Sequence, residues 1–156
     1  MINSEKTILY MTEWVTNYLK HKDVLDKNII SIDKTSNGLC AKFKRYEQFY
    51  LILPTITDIS ELIQKIKEKQ SLTLVVLNSR DNFQLMLDNW KRFIDYEQFA
   101  MIFINPFSEL DKKWIICPYI HNRICDADAL VNGLKSIYST VEPITEDQLQ
   151  RLISST

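Results

Sequence analysis

The sequence predicts an α/β (α+β) fold in one domain spanning residues 1–156. A mixed central sheet carries an N-terminal helix, a three-stranded antiparallel meander, a β-α-β-β segment and C-terminal helices packed on the sheet. Three observations carry this expectation. Leu72–Leu77 and Phe99–Ile104 are short apolar runs without alternation, the mark of strands covered on both faces. Between Ile29–Ile32 and Leu39–Phe43 stands Thr35-Ser36-Asn37-Gly38, a hairpin signal. Finally, 156 residues with 46% hydrophobic and 25% charged side chains suit a single core.

In chain order, Asn3 or Ser4 is placed to cap a first helix whose stripe is Ile8, Met11, Val15, Tyr18 and Leu19, ending near His21. Lys20, His21 and Lys22 then complement the negative end of its dipole. The hairpin follows, with Asn37 and Gly38 expected at positive φ, and a turn near Arg45-Tyr46-Glu47 leads into Phe49–Leu53, stopped by Pro54. Asp58 with Glu61 reads as a capping box for a helix with Ile59, Leu62, Ile63 and Ile66 on one face.

After the Leu72 strand, the Ser79-Arg80-Asp81-Asn82 turn starts a helix burying Phe83, Met86, Leu87, Trp90 and Ile94. That crossover implies a parallel pairing of the Leu72 and Phe99 strands. Asn105-Pro106 closes the second of these, and Trp114–Cys117 is a further strand interrupted by Pro118. Asp126 caps a helix with Leu130, Leu134, Ile137 and Tyr138; its Gly133 suggests a close approach of backbone to a neighbour. Thr145 with Gln148 forms a capping box for a last helix using Leu149, Leu152 and Ile153.

A formal charge of −1 provides no global field for nucleic acid or an anionic membrane, so either would have to be met by a local patch. The first residues lack the pattern of a secretory signal and no run is long enough for a membrane span. The expected address is the cytoplasm, with no membrane partner. Cys40, Cys117 and Cys125 are expected as free, mostly buried thiols.

With two glycines the chain has none of the common phosphate-binding loops or the nucleophile elbow. Cys117, His121 and Cys125 have a C-x3-H-x3-C spacing, but an extended segment spreads residues four apart over roughly 13 Å, too far for one ion. Pro118 argues against a helix running through Cys117. No cofactor is therefore expected. The polar loops after strands are the first choice for a binding surface: Asn78, Arg80 and Asn82 in one, His121, Asn122 and Arg123 in the other.

The opening order, a helix, three antiparallel strands, a helix and a strand, resembles the core of the restriction-endonuclease-like nuclease superfamily over residues 4–104. The resemblance implies a Mg²⁺ site formed by an acid on the second strand and an acid-x-Lys on the third. Here the third strand, Phe49-Tyr50-Leu51-Ile52-Leu53, has neither. A displaced site would draw on Glu13, Asp33 and Glu47, with Lys42 or Lys44 beside the attacking water. The leading expectation is a non-catalytic protein acting through a protein partner or as a homo-oligomer. A divalent-metal nuclease, or nucleic-acid binding by the Lys42–Tyr46 hairpin, is the alternative.

Overall fold

A computed structural model describes residues 4–69 and 71–155. Its elements are α1 (Ser4–Lys22), β1 (Ile29–Thr35), β2 (Gly38–Phe43), β3 (Glu47–Ile52), α2 (Ile59–Glu68), β4 (Leu72–Leu77), α3 (Arg80–Asp88), α4 (Trp90–Phe93), β5 (Phe99–Ile104), β6 (Lys113–Ile116), α5 (Pro118–Ile124), α6 (Ala127–Tyr138) and α7 (Glu146–Ser154). The strands form one six-stranded sheet in chain order. The meander β1-β2-β3 is antiparallel, β3-β4 and β4-β5 are parallel, and β6 returns antiparallel to β5.

Each face of the sheet has its own apolar layer. On one side Leu72, Leu74, Val76, Met101 and Phe103 pack under residues of α2, α3, α4 and α6, including Ile66, Phe83, Phe93 and Leu134. On the other, Leu39, Ala41, Ile52, Val75 and Ile104 pack under α1 and α7 through Met11, Val15, Leu19 and Leu149. This double covering is why all six residues of β4 are buried, and why the strand carries no alternation in its sequence.

Several expectations change. The Asn3 cap lies outside the described residues, and Ser4 already belongs to the helix. The inner face of α1 is less apolar than its stripe suggests, because Thr12 and Thr16 are also buried. Each hydroxyl is satisfied by the carbonyl four residues back, Ile8 and Thr12 respectively, at 2.7 and 2.8 Å. Asp58 accepts from the Glu61 N–H, but the Glu61 carboxylate turns to Lys65. The Thr145–Gln148 capping box is complete.

The helix expected from Arg80 onward breaks at Asn89, whose amide donates to the Leu85 carbonyl, so Trp90–Phe93 forms a separate turn. Beyond Cys117 the chain is helical rather than extended: Pro118 occupies the first turn of α5, where its missing N–H costs nothing. Neither Asn37 nor Gly38 adopts a positive φ; Lys27, at 48°, is the one non-glycine residue that does among those described. Glycine at position 38 is required for space, since a Cβ there would overlap the Tyr50 carbonyl of β3. Gly133 faces open space, with nothing beyond its chain neighbours and its own helix backbone within 4 Å of where a Cβ would stand, so no close approach to another element explains it. Of the cysteines, Cys40 is buried, Cys117 half-buried and Cys125 exposed; all are free thiols.

Candidate functional site

The carboxyl ends of β4 and β5, where α/β sheets usually receive ligands, are covered by the chain itself. The connection from α6 to α7 crosses from one face of the sheet to the other: Val141 belongs to the α2–α6 layer and Ile144 to the α1–α7 layer. Three polar residues at the strand ends hold it there. Asn78 is fully buried; its Oδ1 accepts from Trp114 Nε1 at 2.8 Å, and its Nδ2 donates to the Val141 carbonyl at 2.9 Å. Asn105 Nδ2 donates to the Glu142 carbonyl at 2.9 Å, and the Ser108 hydroxyl accepts from the Glu142 N–H at 3.3 Å.

Asn82 does comparable work on the neighbouring turn. Its Oδ1 accepts from the Ile56 N–H, and its Nδ2 donates to the carbonyls of Pro54 and Leu77, all at 2.9 Å. The hydrogen-bonding capacity of Asn78 and Asn82 is thus spent on backbone and indole groups inside the protein, as buried amides require. Arg80, at the start of α3, remains exposed.

The other polar set lies at the opposite end of the sheet. Because Lys113 pairs with Ile104 and Ile116 with Met101, β6 delivers the chain to the amino ends of β4 and β5. There α5 places His121 Nδ1 2.9 Å from the Cys117 carbonyl, within its own first turn. The Arg123 guanidinium donates to the carbonyls of Ile94 and Tyr119 and lies 3.6 Å from the Tyr119 ring centre, tying α5 to the end of α4. Asn122 Oδ1 accepts from Trp90 Nε1 at 2.9 Å. The two predicted loops therefore do not form one surface.

Nor do the displaced acids form one site. Asp33 pairs with Cys40, Cys40 with Phe49, and Lys42 with Glu47, which puts Asp33, Lys42 and Glu47 on the sheet face away from α1. Lys42 Nζ lies 3.9 Å from Glu47 Oε1. Glu13 is on the exposed side of α1, across the sheet from both other acids, and Lys44 lies beyond β2 with its N–H on the Asn28 carbonyl. Among the described residues no group of three or more His, Cys, Asp or Glu side chains is placed to hold a metal ion. Burial, and secondarily the nearby Glu47 carboxylate, pushes the Cys40 thiol up, which disfavours its thiolate.

A concavity with a largely apolar lining is elsewhere, a groove of about 940 Å³ between α3–α4 and α5–α6. Trp90, Leu130 and Leu134 are its buried floor; Leu87, Ile94 and Val131 are the partly open walls. Asn122, fixed by Trp90, and the exposed Cys125 stand at one end. Lys91, Arg92 and Lys135 lie along the rim against one acid, Asp88, whose carboxylate accepts from Gln84. Of the six predicted binding residues, only Asn122 lines this groove. No protein-family model, no curated protein and no solved structure matches this chain. Among the described residues no helix is long and apolar enough to cross a membrane.

Proposed function

We propose that the protein acts by binding, without catalysis of its own, and that the groove between α3–α4 and α5–α6 receives an amphipathic helix of a partner polypeptide. One observation carries the reading: the partly open apolar walls Leu87, Ile94 and Val131 stand over a buried apolar floor, beside a rim with three basic groups and one acidic one. Apolar grooves of this kind accept helices through anchors at i, i+3, i+4 and i+7, while an uneven rim charge selects the flanking residues. Here the flanks would be acidic. The three free thiols support a reducing, cytoplasmic setting for this role. A nuclease-like scaffold without an intact metal site remains part of the proposal, on the strength of the opening αβββαβ order.

The test uses a designed amphipathic peptide of about 18 residues with leucine anchors and glutamate flanks, and its lysine-flanked counterpart, each titrated against protein labelled at Cys125 with an environment-sensitive dye. The acidic peptide is expected to bind in the range of about 10–100 µM and to weaken at least tenfold with Val131→Asp, a partly exposed wall position whose change leaves the floor intact. Equal binding of the two peptides, or no response from either, would refute the assignment. A dimer seen by light scattering and abolished by Val131→Asp would replace the foreign partner with a second copy of the chain.

A further inference from the structure

We propose that the turn joining α1 to β1 is a membrane-contact tip that docks on an anionic lipid surface. Leu25 is 91% exposed, Val24 61% and Ile30 67%, the most exposed group of aliphatic side chains close together among the described residues. They are presented by a fixed turn. The Asp23 carboxylate accepts from the N–H groups of Asn28 and Ile29 at 2.7 and 3.0 Å, and the Lys27 N–H donates to the Asp23 carbonyl at 2.8 Å. Lys27 takes the left-handed conformation that closes the turn. Asn28 then anchors the turn to the β2–β3 connection by accepting from the Lys44 N–H through its carbonyl, at 3.0 Å. Ile30 has no partner in β2, because the register shifts between Ile29 and Ser31, and the bulge leaves it outward on an edge strand.

The surroundings of this tip are basic. Lys20 and Lys22 in the last turn of α1, Lys27 in the turn, and Lys44 and Arg45 in the tied connection are all exposed. The acids of the same region are Asp23, whose carboxylate is turned to the backbone, and Asp26; Glu47 is matched by Lys42. A chain of net charge −1 thus concentrates positive charge around its most protruding aliphatic side chains.

A protein partner would need a pocket matching a convex turn, and a single nucleic-acid strand would use aromatic faces, whereas the exposed Tyr46 is stacked on Phe43 and the groups that protrude furthest, Leu25, Ile30 and Val24, are aliphatic. An anionic bilayer meets both features: aliphatic groups enter the boundary between headgroups and acyl chains, while the cations remain among the headgroups.

The full chain is to be sedimented with vesicles of phosphatidylcholine alone and of phosphatidylcholine containing about 30% phosphatidylserine. Binding is expected only to the anionic vesicles and to fall steeply with added salt. The exposed double substitution Val24→Ser/Leu25→Ser is expected to weaken it at least about tenfold. Lys44→Glu/Arg45→Glu is expected to weaken it more than about twentyfold, since each neutralised cation alone is worth about fivefold. Unchanged circular dichroism and urea midpoints of the variants show that the fold is kept. No partition into anionic vesicles would overturn the proposal, as would binding indifferent to Val24 and Leu25. So would retention on a single-stranded oligonucleotide that survives Val24→Ser/Leu25→Ser but not Lys44→Glu/Arg45→Glu, or a dimer lost with Leu25→Ser.

Discussion

Replacing Asn78 with alanine tests whether the crossing between α6 and α7 is held by buried hydrogen bonds. The substitution strands the Trp114 indole N–H, on a side chain only 4% exposed, and the Val141 carbonyl, each now bonded to Asn78 at 2.8 and 2.9 Å. A longer contact of 3.3 Å to the Tyr138 carbonyl is also lost. With about 1–3 kcal/mol for each stranded buried group, and some recovery by an entering water, the expected loss is about 3 kcal/mol. In a chain of this length that lowers Tm by about 6–12 °C. Urea unfolding followed by tryptophan fluorescence measures it, with an unchanged slope showing that the denatured state is not the cause.

Asn78→Asp supplies a second, more selective readout. The introduced carboxylate can still accept from Trp114 but sets a charged oxygen against the Val141 carbonyl, which raises its folded-state pKa. Destabilisation should therefore be full at neutral pH and be relieved as the pH falls through that raised value, where a protonated oxygen can donate. A loss below about 1 kcal/mol for Asn78→Ala, or no acid rescue for Asn78→Asp, would refute this account of the clamp.

The two glycines should respond in opposite directions. Gly133→Ala is expected to stabilise by about 0.5–1 kcal/mol, because the position is helical and open, whereas Gly38→Ala, pressed against the Tyr50 carbonyl, should cost at least about 2 kcal/mol; urea midpoints of both variants decide it. Burial raises the Cys40 and Cys117 thiols above 9.0, and the hydroxyls of Tyr50 and Tyr138 above 10.0. The unfolded chain therefore releases these protons first, so stability is full below about pH 9 and declines above it. Midpoints measured across alkaline pH should show that decline, and Cys40→Ala with Tyr50→Phe should flatten it.

The sheet was legible because burial on both faces leaves an unmistakable mark: Leu72–Leu77 and Phe99–Ile104 have no polar face to display. Helix starts were legible where a short polar side chain precedes the helix, as at Asp58, Ser79, Asp126 and Thr145. Sequence could not distinguish Asn78 and Asn82 from surface turn residues, since an amide that closes a buried network and one that faces water have the same letter. It also gave β6 no direction, and direction alone decides that His121–Arg123 lies at the far end of the sheet from Asn78.

The groove was hidden for a different reason. Leu87, Trp90 and Leu130 belong to ordinary helical stripes, and only the spacing of four separate helices, α3 to α6, leaves the walls uncovered. Val24 and Leu25, separated by Asp23 from the basic Lys20-His21-Lys22, lie outside every helical stripe, and their exposure emerges only in the folded chain.

The span that lies across the top of the sheet sets an order for assembly during synthesis. Asn78 and Asn105 leave the ribosome well before residues 138–144 that they grip, so the upper rim of the sheet stays hydrated until this late segment arrives. Both apolar layers can gather in part earlier, and that single stretch adds Val141 to one and Ile144 to the other before Leu149 of α7 completes the second. A nascent chain stalled before residue 138 would therefore hold a sheet whose rim is still open to water.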